Sequence, residues 1–142
     1  MAGLAGPLLL VGCGKMGGAL LAGWIAKGLA PADTYVVEPE AGLRTRARDR
    51  HGVAAFAEPK ELPVDLRPAA IVFAIKPQAM AAVLPAYEHL ARSGVVLSIA
   101  AGTTIARFEA VFGATTAIVR AMPNTPAAIG QGVTALVANP HA

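Results

Sequence analysis

One cysteine, Cys13, stands among 142 residues. An internal disulfide is excluded, and nothing in the cysteine usage points to an oxidising compartment. Aromatic residues are also scarce, at 5% against 55% apolar residues in all, so the interior is expected to be aliphatic and layered. That apolar share excludes a disordered chain. Charge of one sign is nearly balanced, with a net +3 and no clustering of Lys and Arg with aromatics, which argues against nucleic acid as a partner. Long apolar runs are missing. The first run, Leu8 to Val11, breaks at Gly12 and has no Lys or Arg before it, so neither a secretory signal nor a membrane span is expected. His51, His89 and His141 are scattered without ligand spacing, so no metal site is expected. A cytoplasmic protein of one domain, residues 1–142, is the default expectation.

What is present is an alternation of short apolar runs with longer amphipathic or charged segments. Strands are expected at Leu8–Val11, Tyr35–Val37, Val53–Phe56, Ile71–Ile75, Val95–Ala100 and Ala117–Val119, with a last one at Gly132–Val137. Helices are expected at Met16–Lys27, Ala41–Arg50, Pro77–Leu90 and Thr104–Phe112. Unbroken apolar strands alternating with helices imply a mostly parallel sheet covered on both faces, hence a doubly wound α/β fold. Such sheets bind ligands at the carboxyl ends of their strands. The loops after the strands are therefore where chemistry is expected.

The first of these loops is Gly12-Cys13-Gly14-Lys15-Met16-Gly17, a G-x-G-x-x-G turn between a strand and a helix. Gly12 permits the turn, Gly14 lets backbone approach a pyrophosphate, and Gly17 lets helix pack close to strand. The alternative is a tight turn that holds no ligand. The strand-before, helix-after context favours a Rossmann-type dinucleotide site. Cys13 reads as a small loop or core residue, because no base accompanies it. Glu38 closes the second strand, where a carboxylate accepts from the ribose hydroxyls of NAD and repels the 2′-phosphate of NADP. Arg44, Arg46, Arg48 and Arg50 follow. They read first as a solvated helix face. The second reading turns Arg44 toward a 2′-phosphate, so NADPH and NADH both stay open as cofactors.

Three further segments lie at expected strand ends: Ala74-Ile75-Lys76-Pro77, Ser98-Ile99-Ala100-Ala101-Gly102, and Arg120-Ala121-Met122-Pro123-Asn124-Thr125-Pro126 with Gly130 and Gly132 beyond. Taken singly, Lys76 also reads as an exposed lysine at a helix start and Asn124 as a turn former, but the ligand-binding edge at Lys76 and the whole segment flanking Asn124 favour a functional role for each. Taken together with the G-x-G-x-M-G turn, the segments resemble pyrroline-5-carboxylate reductase. Its A-V-K-P, S-x-A-A-G and R-x-M-P-N-T-P loops occur in this order, with Ile75 in place of Val. A 3-hydroxyacid-type dehydrogenase would share the glycine turn, but the Met-Pro-Asn-Thr-Pro stretch speaks against it.

The resemblance implies hydride transfer from NADPH or NADH to the imine carbon of Δ1-pyrroline-5-carboxylate, giving proline. It implies that Gly12, Gly14, Lys15, Met16 and Gly17 hold the pyrophosphate, with Glu38 at the adenosine ribose. Ala74, Lys76 and Pro77 would line the cofactor cleft, and Ala100, Ala101 and Gly102 would flank the nicotinamide. Lys76, Asn124 and Thr125 become the candidates nearest the reaction, Asn124 also as a cofactor contact. Arg120 reads as structural. Members of that family are about twice as long. Their C-terminal helical domain forms a homo-oligomer and supplies much of the substrate pocket, so this chain is expected to be the cofactor-binding domain, and a non-catalytic dinucleotide module is the alternative. Pro59 and Glu38 depart from the family pattern.

Overall fold

The computed structural model describes residues 4–123 and 134–142. Seven strands form one sheet in the order β3-β2-β1-β4-β5-β6-β7. They are β1 (Leu8–Val11), β2 (Thr34–Val37), β3 (Ala54–Phe56), β4 (Ala70–Phe73), β5 (Val95–Ser98), β6 (Ile118–Pro123) and β7 (Thr134–Ala138). All neighbours pair in parallel except β6 and β7, which are antiparallel. The expected doubly wound, mostly parallel sheet is the observed one.

The period-2 alternation of β1 divides the core in two. Leu8 and Leu10 join Val36, Val72, Leu21 and Ala47 on the face covered by helices α1 (Lys15–Ala26) and α2 (Ala41–His51). Leu9 and Val11 join Ile71, Phe73, Val96 and Ile118 on the other face. There they meet Met80, from the four-residue helix α3 (Met80–Val83), and Phe108 and Phe112, from helix α4 (Ile105–Phe112). Phe73 is the hub of that layer: its ring centroid lies 5.4 Å from Tyr87 in an edge-on contact, 6.2 Å from Phe108 and 6.0 Å from Phe112. Scarce aromatics are thus concentrated on one side of the sheet, where their large area and favourable ring contacts count most.

Several boundaries differ from the sequence reading. The segment expected as one helix over Pro77–Leu90 is a 3-10 turn at Pro77–Ala79, then α3, then a second 3-10 turn at Leu84–Tyr87. Pro85 has no amide hydrogen to donate, so the α-helical ladder cannot run through it. Strand β6 extends to Pro123 instead of stopping at Val119, because β7 returns antiparallel beside it and pairs Pro123 with Thr134. The strands expected to reach Ile75 and Ala100 stop at Phe73 and Ser98, where their loops leave the sheet.

Candidate functional site

The sheet register brings the candidate loops to one edge. Val11 lies opposite Val37 and Phe73, Phe73 opposite Ser98, and Ser98 opposite Arg120. These residues form one row across the sheet, and Gly12, Glu38, Ala74, Ile99 and Ala121 follow directly from it. Four backbone bonds continue the ladder one step further: Gly12 N–H to the Val37 carbonyl, Glu38 N–H to Phe56, Ala74 N–H to Val11, and Ile99 N–H to Phe73. The loops therefore leave the sheet from a rigid base.

Each glycine of the first turn answers to a different constraint. Gly12 has φ +92°, and a Cβ there would lie 2.6 Å from the Ala74 carbonyl oxygen. A Cβ on Gly17 would lie 2.4 Å from the Gly12 carbonyl oxygen, so Gly17 is what lets α1 approach β1. Gly14 is the exception. Its φ is −73°, and a Cβ would meet nothing within 4 Å. Neither backbone strain nor protein packing requires glycine at this position, and the space it opens lies at the N-terminus of a 12-residue helix with no side-chain cap. Unpaired N–H groups and the positive end of a helix facing open space suit an anion such as a pyrophosphate. The residues present fit a dinucleotide.

Glu38 is nearly buried, 8% exposed. Its Oε1 accepts from the Cys13 amide at 2.9 Å and its Oε2 from the Glu40 amide at 2.9 Å. The carboxylate thus ties the glycine turn to the loop after β2, while its remaining lone pairs stay available to a ribose. Cys13 is buried beneath this link. Burial first and the Glu38 charge second push its thiol pKa up, against a smaller lowering by Arg46. That is the opposite of what a nucleophilic thiol needs.

An apolar cleft of about 230 Å³ lies on one side of this link, lined among others by Gly12, Val37, Pro39, Pro59, Ile75 and Tyr87. Pro59 is one of its walls. A groove of about 440 Å³ lies on the other side, between α1 and α2. Lys15, Arg46, Arg50 and His51 line it with Cys13 and Gly14. The structure separates the four arginines of α2. Arg44 Nη1 donates to the carbonyls of Glu38 at 3.0 Å and Pro39 at 2.6 Å. Arg48 Nη2 donates to the Ala55 carbonyl. Arg44 is therefore engaged with the main chain, whereas Arg46 and Arg50 face the groove. Neither reading of these arginines foresaw that division, although the spacing Leu43, Arg46, Ala47, Arg50 marks one helical stripe.

The other expected site residues take these positions. Lys15 is exposed at the first turn of α1 and Met16 is half-buried behind it. Ala74 packs beneath Gly17, its own Cβ 3.1 Å from where a Gly17 Cβ would sit. Lys76 is exposed in extended conformation before Pro77, which opens the 3-10 turn. Ala100 is buried, its amide donating to Ser98 Oγ at 3.2 Å, while Ala101 and Gly102 are exposed at the same edge. Asn124 and Thr125 lie outside the described residues. Arg120 is half-buried, and its Nε has no hydrogen-bond partner among the described residues. Among those residues there is no group of His, Cys, Asp and Glu that could hold a metal ion, and no helix long and apolar enough to cross a membrane.

Comparison with known proteins agrees with this geometry. The chain is 36% identical over 132 residues to the pyrroline-5-carboxylate reductase of Escherichia coli (strain K12), covering 91% of this chain and 48% of that protein. The solved structure of a pyrroline-5-carboxylate reductase from Coxiella burnetii matches with a TM-score of 0.88 and 27% identity, over 96% of this chain and 51% of the other. The crystal structure of Plasmodium falciparum pyrroline carboxylate reductase with NADP bound matches with a TM-score of 0.80 and 26% identity, over 98% of this chain and 50% of the other. This chain thus spans about half the length of the relatives it matches. Residues 8–102 match the family described as NADP oxidoreductase coenzyme F420-dependent. That stretch takes in the glycine turn, Glu38, the Lys76-Pro77 loop and Ala100 to Gly102, and it places the chain in this family of NADP oxidoreductases.

Proposed function

We propose that this chain is the dinucleotide-binding domain of a pyrroline-5-carboxylate reductase. The single observation that carries the reading is the row Val11–Phe73–Ser98–Arg120, from which the glycine turn, the Lys76-Pro77 loop and the Ala100–Gly102 loop depart and past which β6 carries Met122 and Pro123. A generic dinucleotide fold needs only the first of these. The reaction takes Δ1-pyrroline-5-carboxylate, one proton and a reduced nicotinamide dinucleotide to proline and the oxidised dinucleotide. When bound, the dinucleotide supplies the hydride that converts the protonated C=N carbon to C–H.

The chain's own residues hold and orient. Gly12, Gly14, Lys15, Met16 and Gly17 receive the pyrophosphate at the start of α1. Glu38 meets the adenosine ribose. Ala74, Lys76 and Pro77 belong to the loop whose Ile75 lines the cleft, and Ala100, Ala101 and Gly102 leave room beside the nicotinamide. Asn124 and Thr125 are assigned to the substrate end on the resemblance alone. A protonated imine needs no strong protein acid, so catalysis is chiefly placement of two reactants in a dry cleft. Homo-oligomerisation and a cytoplasmic setting belong to the same proposal. The test is proline formation from Δ1-pyrroline-5-carboxylate and NADPH by this chain joined to the half of the Escherichia coli relative that it does not span. Turnover that falls with Lys76→Ala supports the reading. Dinucleotide binding without any imine reduction by the joined protein sinks it in favour of a non-catalytic module.

A further inference from the structure

We infer that Arg120 is one half of an ion pair whose carboxylate lies outside this chain, on an extended segment that pairs with the outer edge of β7. The inference rests on the reductase reading above, and it assigns that segment to the half of such a protein that this chain does not span.

Three observations fall on one edge of the sheet. Among the described residues, β7 pairs with β6 on one side and with no strand on the other. Its sequence, Thr134-Ala135-Leu136-Val137-Ala138, holds neither charge nor proline, two devices that keep an edge from recruiting another strand. Next, five large hydrophobic side chains are exposed among the described residues, and three of them are Met122, Leu136 and Val137, at 42%, 64% and 57%. Clustering of that kind marks a contact surface. Last, Arg120 Nε is buried with no hydrogen-bond partner among the described residues. The acidic residue that α4 brings to this edge, Glu109, is bonded to Asn139 instead. A buried donor of this kind calls for an acceptor.

The register says what shape of partner meets all three. Arg120 lies opposite Ser98 and Val137, and Ser98 opposite Phe73, so Arg120 and Val137 share the α4 face of the sheet, with Met122 two residues on. Leu136 points to the other face. A helix laid on either face would cover Leu136 or Val137 and leave the other exposed. A strand added beside β7 abuts both and also takes its outward backbone groups. That strand would lie about 10 Å from β6, two strand spacings away, a gap that an arginine and a glutamate bridge when they reach toward each other over Val137. A carboxylate suits the planar guanidinium, which it can meet with two parallel bonds. A second copy of this chain fits less well. Two β7 edges paired about a two-fold axis would bring a second Arg120 to the interface and no carboxylate from β7. The edge itself is preset, because Asn139 ties the end of β7 to the Ile118 amide and the Thr116 carbonyl.

The experiment follows amide hydrogen exchange of β7 and thermal melts, in this chain and in its fusion to the half of the Escherichia coli relative that it does not span. Each is made as wild type and as Arg120→Met. In the chain alone, the outward amides of β7 should exchange readily, and Arg120→Met should melt no lower than wild type, because it removes an unsatisfied buried nitrogen. In the fusion the same amides should exchange at least about tenfold more slowly. There Arg120→Met should lower the melt by at least about 2–4 °C. A lower melt of Arg120→Met in the chain alone places the partner of Arg120 within this chain and overturns the inference. Equal exchange in the two wild-type proteins overturns it as well. Protection that appears in the chain alone as its concentration is raised, with a dimer on sedimentation, gives the edge to a second copy and also overturns it. Proline formation by the fusion is read in parallel. A fusion that protects β7 without reducing the imine supports the pairing and overturns the reductase reading, whereas one that reduces the imine with β7 unprotected overturns the pairing alone.

Discussion

The carboxylate of Glu38 accepts the Cys13 amide at 2.9 Å across 25 residues of sequence, so the residue that closes β2 also fixes the turn that opens α1. Its other oxygen accepts from Glu40. Glu38→Gln keeps the shape but replaces one acceptor oxygen with a donor, which then faces an amide hydrogen. Leaving such a buried donor unsatisfied costs about 1–3 kcal/mol. A lower melting temperature is expected, with weaker binding of both NADH and NADPH because the turn loosens. The ratio of affinities should also move toward NADPH, since carboxylate–phosphate repulsion at about 4 Å is roughly 1–4 kcal/mol before salt screening. Thermal melts and paired titrations check both effects, and an unchanged ratio would mean that the ribose is read by some other group.

The glycines of the turn separate folding from binding. Gly17→Ala places a Cβ 2.4 Å from the Gly12 carbonyl oxygen, backbone that cannot step aside cheaply. Destabilisation by about 1–3 kcal/mol is expected from overpacking of this kind. Gly14→Asp meets nothing within 4 Å and should leave the melt nearly unchanged. It nevertheless puts bulk and a negative charge where the pyrophosphate is expected, so NADPH binding should be lost. Denaturant unfolding and fluorescence titration of the two variants give opposite patterns if the assignment is right. Gly14→Asp protein that binds as wild type does would move the phosphate site elsewhere.

Much of this was readable from residue patterns, and the parts that were not share a cause. Leu8 to Val11 is apolar at every position because both sheet faces are covered, and Gly12, Gly14 and Gly17 follow at motif spacing. The stripe Leu43, Arg46, Ala47, Arg50 is visible in the sequence, but its meaning depends on Arg44 and Arg48 finding the Glu38, Pro39 and Ala55 carbonyls. Those acceptors are set by how the loops fold back. The break at Pro85 was legible in principle, because proline removes a helix donor. The extent of β6 was not, since it depends on the return of β7. Asn139 escaped notice for the same reason.

Asn139 locks that return. It is 7% exposed, and its Oδ1 accepts from the Ile118 amide at 3.1 Å and the His141 amide at 3.2 Å. Its Nδ2 donates to the Thr116 carbonyl at 2.7 Å and to Glu109 Oε1 at 3.1 Å. Both sides of the amide are thus satisfied. Asn139→Asp removes the donors and sets a second carboxylate beside Glu109. A loss of stability of about 1–3 kcal/mol or more is expected, measured as a lower denaturation midpoint. Asn139→Ala should also destabilise, whereas wild-type stability in both would show that β7 is held by its ladder alone.

Stability should fall in alkaline solution. Burial first, and the Glu38 charge second, push the Cys13 thiol pKa up in the folded chain. Burial likewise pushes up the Tyr87 phenol. A raised folded pKa means that the folded state holds the proton longer than the unfolded one. The stabilising difference is fully present below the ordinary thiol value of about 8.5 and is lost as pH rises toward the folded value. Tyr87 adds a second loss beginning above about pH 10. Denaturation midpoints measured from pH 7 to pH 11 should decline in two stages, with Cys13→Ala flattening the first and Tyr87→Phe the second. A flat profile in wild type would mean that both groups ionise as freely in the fold as out of it.

This chain alone should bind the dinucleotide yet reduce Δ1-pyrroline-5-carboxylate slowly or not at all. The groups assigned to the cofactor are present in it, from Gly12 to Gly17, Glu38, Ala74 to Pro77 and Ala100 to Gly102. The relatives that carry the reductase name are about twice its length, this chain covering 48% of the Escherichia coli protein. Hydride transfer requires the imine carbon within about 3–3.5 Å of the nicotinamide, and positioning of that kind supplies about 7–11 kcal/mol of barrier lowering. A domain that grips only one of the two reactants forgoes most of that positioning, and its cleft stays open to water, which weakens each electrostatic contact within it. Comparing NADPH consumption by this chain and by its fusion to the remaining half of the relative, at equal dinucleotide occupancy, isolates the substrate side. The fusion is expected to turn over at least about a thousandfold faster, a factor that corresponds to roughly 4 kcal/mol and so to only part of the positioning term. Equal turnover by both would place the whole imine pocket among these 142 residues.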